Sequence, residues 1–150
     1  MNTTGKFLAL REDHDLWKQV LILDQLHFPR PWKDSDWSSL DFSRHHLWAY
    51  QDENRLVGYA LFATNLGDET AHLLKILVIP ELRGGKIASI FWKQIKESLQ
   101  SLQFRYVYLE VEESNLRALG FYTKLGFQLL RRVKSYYSDG KAGVMMQLTL

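Results

Sequence analysis

The stretch from Leu73 to Leu102 does most to limit what this chain can become. Leu73 to Ile79 is apolar at every position but Lys75, Pro80 closes the run, and Arg83-Gly84-Gly85 leads into a helix. Consecutive apolar residues, in place of alternating ones, describe a strand covered on both faces. The helix shows its buried stripe at Ile87, Phe91, Ile95 and Leu99, with Ile90 and Leu102 filling it. A doubly covered strand followed by a one-sided helix needs a sheet with helices on its faces, so the architecture is α/β.

The remaining elements group around this unit. Phe7 and Ala9 lie in a short first strand. Asp13 is the expected N-cap of a helix through Leu16, Val20, Leu23 and His27, which stops before Pro29 and Pro31. Trp32 rides on that proline-bracketed loop, and Asp34 or Ser35 caps a short helix through Trp37 and Leu40. His46–Gln51 and Arg55–Thr64 form a hairpin around Asp52-Glu53-Asn54, and Thr70–Ile79 is the next strand. Beyond the long helix, Phe104–Val111 is a strand, Ser114 caps a helix ending at Lys124, and Gly126 closes it. Final strands at Phe127–Tyr137 and Ala142–Thr149 flank Ser138-Asp139-Gly140. The order β-α-α-β-β-β-α-β-α-β-β predicts an α+β arrangement, a mixed sheet flanked by helices, and not a repeating Rossmann array. With no linker or repeat in 150 residues, residues 1–150 are expected to form one domain.

Composition removes several function classes. The chain has no Cys, which excludes a disulfide framework, a Cys-based zinc site and a thiol nucleophile. Nineteen basic against seventeen acidic residues leave +2, too little for a dedicated nucleic-acid domain but compatible with an anionic ligand at one patch. Met1 to Arg11 carries no cleavage pattern, and no apolar run approaches the ~20 residues of a membrane helix, so a cytoplasmic protein away from membranes is expected.

Two units carry chemistry. Free N–H groups and a positive dipole at the start of the Lys86 helix, next to Gly84 and Gly85, suit a phosphate; an ordinary strand-to-helix turn is the plain alternative. Neither a Walker A pattern nor G-x-G-x-x-G is present. The second unit is Leu109-Glu110-Val111 followed by Ser114-Asn115 and Tyr122. Glu110 shares a strand face with Tyr106 and Tyr108, either at a solvated end or in a cleft. Tyr122 and Asn115 also have plain readings, as a packing aromatic and a helix-start residue.

In order and spacing these units resemble the GNAT (Gcn5-related) N-acetyltransferases, and within them the RimI-type protein N-terminal acetyltransferases. The likeness runs from Phe28-Pro29-Arg30-Pro31-Trp32 through Arg83-Gly84-Gly85-Lys86-Ile87-Ala88 to Leu109-Glu110-Val111-Glu112-Glu113-Ser114-Asn115. It continues with Phe121-Tyr122-Thr123-Lys124-Leu125-Gly126-Phe127 and Tyr136-Tyr137. The resemblance implies the acyl-CoA N-acyltransferase fold, with a mostly antiparallel central sheet, and acetyl-CoA as acetyl donor without a metal. It implies that backbone groups of Ile76, Leu77 and Val78 pair with the pantetheine arm. Arg83, Gly84, Gly85, Lys86, Ile87, Ala88 and Ser89 would hold the pyrophosphate, and Asn115 the cofactor arm. Glu110 would be the general base and Tyr122 the acid, while Trp32, Tyr136 and Tyr137 shape the acceptor groove. The implied partner is a protein N-terminus, in the RimI group that of a small-subunit ribosomal protein, acted on by a monomer or weak dimer.

The chain also departs from that pattern. Lys86 stands where the family's turn has glycine, as though Gly85 and the basic residue had changed places. Its Cβ would obstruct the pyrophosphate, or its ammonium would join it and leave Gly85 to supply the backbone. Lys141-Ala142-Gly143 replaces an acidic-alanine pair, which bears on the acceptor. Two alternatives stand beside the main expectation: a small-molecule amine as acceptor, or a coenzyme A-binding member whose turnover Lys86 impairs. His45-His46 reads as a solvated pair and not a metal site, since adjacent strand residues face opposite ways. Glu112-Glu113 reads as a solvated strand end and Arg131-Arg132 as part of a solvated hairpin.

Overall fold

The computed structural model describes residues 5–150; residues 1–4 of the segment read for a targeting pattern lie outside the described residues. The elements are β1 (Lys6–Ala9), α1 (Trp17–His27), α2 (Asp34–Ser38), β2 (His45–Asp52), β3 (Arg55–Ala63) and β4 (Thr70–Val78). After a 3-10 turn at Pro80–Leu82 come α3 (Lys86–Ser101), β5 (Tyr106–Glu112), α4 (Leu116–Lys124), β6 (Gln128–Val133) and β7 (Gly143–Thr149). This is the order expected from the sequence. The strands form one seven-stranded sheet ordered β1-β2-β3-β4-β5-β7-β6. Only β4 and β5 run parallel, joined through α3; the other pairs are antiparallel.

The two faces of the sheet are covered unequally. On the first, Phe91, Trp92, Ile95 and Leu99 of α3 pack over Val107, Leu109, Val111, Val144 and Met146. On the second, Trp17 and Val20 of α1 and Trp37 of α2 pack over Leu47, Ala49, Tyr59, Leu61 and Leu77. That second cluster contains no residue of β5, β6 or β7. The helices therefore sandwich β1–β4, whereas no helix covers the second side of β5-β7-β6.

A bulge in β4 decides which of its side chains share a face. Phe62 pairs with Leu73 and Leu61 with Lys75, so Leu74 is the extra residue. Ala71 and Leu73 face the first cluster, whereas Lys75 and Leu77 face the second. His72 and Lys75, three apart, consequently share the second face.

Four local expectations are corrected. α1 is capped at Leu16, whose N–H donates to His14 Nδ1 (3.1 Å), and Asp13 does not cap it. α2 is capped at Lys33, whose N–H donates to Asp36 Oδ2 (3.0 Å), and ends at Ser38. Asn115, not Ser114, is the N-cap of α4: its Oδ1 accepts from Ala118 N–H (3.1 Å). The sixth strand ends at Val133, because Ser135 takes φ +51° and swings Tyr136 and Tyr137 out of the sheet. Gly126 closes α4 as expected, with φ +102° and Phe127 N–H donating to Tyr122 O.

Candidate active site

The parallel strands part almost at once. β4 and β5 pair at Thr70–Tyr106, Ala71–Val107 and His72–Tyr108, and no further. Beyond His72, β4 continues with β3 and β5 with β7, so a wedge opens between them. Ile79 N–H donates to Val57 O (2.9 Å), which fixes the antiparallel alternation on β3. The backbone of Leu77 therefore points to β3, while those of Ile76 and Val78 point into the wedge. Arg83 Nε donates to Val78 O (2.9 Å), tying the turn before α3 to the end of that edge.

Glu110 sits at the wedge on the second face. Its Oε2 lies 2.6 Å from His72 Nε2, and its side chain is 19% exposed. An ionised carboxylate has no proton to give, so in that state His72 Nε2–H is the donor. Tyr108, its neighbour by period two, donates to Met145 Sδ (3.0 Å) and packs edge-on against His72. Tyr136 and Tyr137 stack T-shaped at 5.0 Å over this region. Burial, then the Glu110 charge, raises the phenols of Tyr108, Tyr136 and Tyr137, so all three stay protonated beside it. Tyr136 takes its place because Gly143 has no side chain; a Cβ there would stand 2.9 Å from the Tyr136 ring.

Tyr122 belongs to α4 on the first face, packed against Phe127 at 5.5 Å. Burial, with a contribution from Tyr137, lifts its phenol to about 12. Tyr137 thus lies near both Tyr122 and Glu110 and bridges the two sides of the wedge. Of the sequence-derived residues, Glu110, Tyr122, Tyr136 and Tyr137 come together here, with the backbones of Ile76 and Val78 along the wedge. Leu77 turns its backbone to β3, and the Trp32 ring packs against Trp37 at 5.0 Å, beside α1 and α2. Arg30 of the same loop reaches the groove instead: its guanidinium stacks on Tyr137 (4.3 Å) and pairs with Asp139 (2.9 Å) and Glu112 (3.4 Å). Lys141 also holds Glu112 (3.1 Å), so that carboxylate, 12% exposed, is not a solvated strand end. Glu113 does pair in solvent with Arg132 at 2.7 Å.

The turn before α3 forms a backbone cradle. Gly84 has φ +71° with no atom within 4 Å of an added Cβ, and Gly85 is the N-cap. The first intrahelical bond runs from Ser89 N–H to Gly85 O, which leaves the amides of Lys86, Ile87 and Ala88 without intrahelical acceptors. Lys86 is exposed at the first helical position.

His72, Arg30 and a buried pair, Asp24 with Lys75, escaped the sequence reading. Lys75 Nζ lies 2.7 Å from Asp24 Oδ1, with side chains 4% and 0% exposed. Burial pushes the Lys75 ammonium down, and Asp24 opposes that shift. Lys75 as the one polar residue in an apolar run was the available signal. His45 and His46 part company: His45 Nδ1 meets Asp41 O, while His46 stacks on Trp48 at 5.5 Å. Among the described residues no group of three His, Asp or Glu side chains could hold a metal ion. Nor is any described helix long and apolar enough to cross a membrane.

Residues 11–127 match the model of the acetyltransferase (GNAT) family. The chain is 30% identical over 134 residues to a putative [ribosomal protein bS18]-alanine N-acetyltransferase of Bacillus subtilis, covering 87% of each. It is 30% identical over 95 residues to an uncharacterized N-acetyltransferase of Methanocaldococcus jannaschii, spanning 63% of this chain and only 60% of that protein. Its fold superposes on the ribosomal-protein-S18-alanine N-acetyltransferase of Escherichia coli with a TM-score of 0.82 at 21% identity, over 97% and 94% of the chains. The match over residues 11–127, on a sheet that opens between its parallel strands, means that the chain belongs to the GNAT acetyltransferase family.

Proposed function

We propose that the protein moves an acetyl group from acetyl-CoA to the α-amine of a protein N-terminus, with Glu110 as base and Tyr122 as acid. The observation that carries this reading is Glu110 at the mouth of the β4–β5 wedge, held by His72 at 2.6 Å and flanked by Tyr136 and Tyr137.

The chain's residues fit the cofactor. The amides of Lys86, Ile87 and Ala88 and the left-handed Gly84 suit a pyrophosphate, with Arg83 and Ser89 bordering the turn. The wedge-facing backbone of Ile76 and the N–H of Val78, whose carbonyl is taken by Arg83, suit the amides of a pantetheine arm; Leu77, bonded to β3, serves by its side chain alone. Asn115 caps α4 with Oδ1 and keeps Nδ2 to donate to that arm. Acetyl-CoA, when bound, supplies an acetyl thioester. Everything else is proton handling and positioning by the chain.

The acceptor must be neutral when it attacks. An α-amine of pKa ≈ 8 is about 10% neutral at pH 7, whereas a lysine near 10.4 is only about 0.04% neutral, a difference of roughly 3 kcal/mol. Glu110 takes the amine proton, directly or through a water, and His72 Nε2–H holds the carboxylate in place. Tyr122, with its phenol raised to about 12, keeps its proton at neutral pH and delivers it to the departing sulfur. The side of β5-β7-β6 that no helix covers, with Tyr136 and Tyr137 over part of it, favours an extended acceptor over an enclosed small amine. Likeness to the Bacillus subtilis protein makes a ribosomal-protein N-terminus the first acceptor to try.

Intact-mass spectrometry with acetyl-CoA and a panel of N-terminal peptides, lysine peptides and polyamines tests this reading. Acetylation confined to peptide α-amines is expected. Modification of the polyamines alone would assign a small-molecule acceptor, and cofactor binding without any transfer would assign a non-catalytic coenzyme A-binding member.

A further inference from the structure

We infer that Asp24 and Lys75 are positioning residues for the acceptor: they tie the α1–α2 loop to β4 and so hold Arg30 over the groove. The inference rests on the acetyl-transfer reading for its kinetic half only.

Asp24 binds the loop and the sheet at once. Its Oδ2 accepts from Trp32 N–H at 2.7 Å, and its Oδ1 accepts from Lys75 Nζ at 2.7 Å and from Tyr59 O–H at 3.2 Å. Gln25 Nε2 donates to Trp32 O at 3.0 Å, so both backbone groups of Trp32 are held by α1. Lys75 is enclosed by the rings of Phe28 (4.3 Å), Trp32 (5.2 Å) and Trp37 (5.9 Å), two of which belong to the same loop. Pro29 and Pro31 fix φ on either side of Arg30, so a loop anchored at Phe28 and Trp32 has little freedom between them. What that stiff segment presents is the Arg30 guanidinium, on Tyr137 and against Glu112 and Asp139. With side chains 0% and 4% exposed, the pair is sealed from solvent and offers no surface for an acceptor to touch. Its effect on the groove runs through the loop.

The test compares two double variants. Asp24→Ala/Lys75→Met removes both charges and the acceptor for Trp32 N–H. Asp24→Asn/Lys75→Met also removes both charges but keeps an oxygen for that N–H. Hydrogen exchange of the segment 28–33, read by mass spectrometry below the melting temperature of both, should rise at least tenfold in the alanine variant and stay near wild type in the asparagine variant. Peptide KM should rise about tenfold in the alanine variant, with kcat and coenzyme A affinity within twofold. Arg30→Ala should raise KM similarly, and adding it to the alanine pair should raise KM no further. Unchanged exchange in the folded alanine variant would overturn the tie, and KM effects that multiply would overturn its action through Arg30. A wild-type protein inactive on every peptide would sink the acetyl-transfer reading, while the exchange result still judges the tie.

Discussion

Asp24 and Glu110 each take a cationic or hydrogen-bonding partner from β4, on the same face of the sheet. Lys75 closes over Asp24 where α1 and α2 cover that face, and the two side chains are 4% and 0% exposed. His72 meets Glu110 where the helices have ended and β5 has begun to leave β4, and those side chains are 36% and 19% exposed. Similar geometry, 2.7 Å in one pair and 2.6 Å in the other, thus has opposite uses. Sealed from water and out of reach of a substrate, the first pair locks a loop. The second lies partly open at the wedge, where the proposed acceptor would arrive. Coverage by helices, not the chemistry of the carboxylate, separates them.

Breaking the open pair should cost the most activity. Glu110→Gln keeps the shape and an acceptor for His72 but removes the proposed base, and kcat should fall about 10²- to 10⁴-fold. Coenzyme A affinity, measured by calorimetry, should stay near wild type. Equal losses of turnover and cofactor binding would take the base role away from Glu110.

Breaking the sealed pair should instead cost stability. Lys75→Met alone leaves the Asp24 carboxylate buried without its counter-charge, and urea denaturation should show a loss of about 3–5 kcal/mol. Adding Asp24→Asn should restore much of it, since a neutral pair in the same space is often no less stable than the ionic one. A single variant as stable as wild type would mean that Trp32 N–H and Tyr59 O–H suffice to hold the Asp24 carboxylate without Lys75.

The bulge at Leu74 explains why the two pairs were unequally legible. Period-two reasoning placed Glu110 correctly with Tyr108, because β5 is regular. On β4 the same rule puts His72 and Lys75 on opposite faces, and only the extra residue between Phe62 and Leu61 of the partner strand brings them together. Bulges have no side-chain signature here, so neither residue could be assigned a partner. The α3 stripe from Ile87 to Leu99, the Gly126 stop and the element order were readable because each rests on local spacing, but Leu102 falls at the C-cap of α3 and is exposed, and Trp92 takes a buried place. The Arg30 contacts with Glu112 and Asp139 span sequence separations of 82 and 109, and local spacing carries no record of them. Trp32 was drawn to the groove by its loop, but an indole finds more apolar contact beside Trp37 than at an exposed mouth.

Tyr122, the proposed acid on the other side of the wedge, sharpens the contrast through pH. Tyr122 is raised from its ordinary 10.0 to about 12, so folding favours its neutral form. That contribution to stability is fully present below pH 10 and is lost as pH climbs toward 12. Tyr122→Phe should make the alkaline decline between pH 10 and 12 shallower, though not flat, since Tyr59, Tyr108, Tyr136 and Tyr137 are raised as well. The same variant should lower kcat by about 10²-fold at pH 7.5. An unchanged kcat would leave proton delivery to water.

Lys86 should show the smallest effect, and its sign separates two ways of making an anion site. If the backbone cradle at Gly84 and the amides of Lys86, Ile87 and Ala88 hold the pyrophosphate, the exposed ammonium adds only a screened charge. Lys86→Met should then weaken coenzyme A binding about three- to tenfold at low salt, with most of the difference gone at 0.5 M salt. Lys86→Gly should weaken it as much or slightly more, because glycine loosens the first helical turn that aims those amides. A tighter complex with Lys86→Gly would mean that the Cβ stands in the way of the phosphates. In that case Gly85 has not taken over from the displaced glycine, and the turn works below its capacity despite an intact proton-handling site.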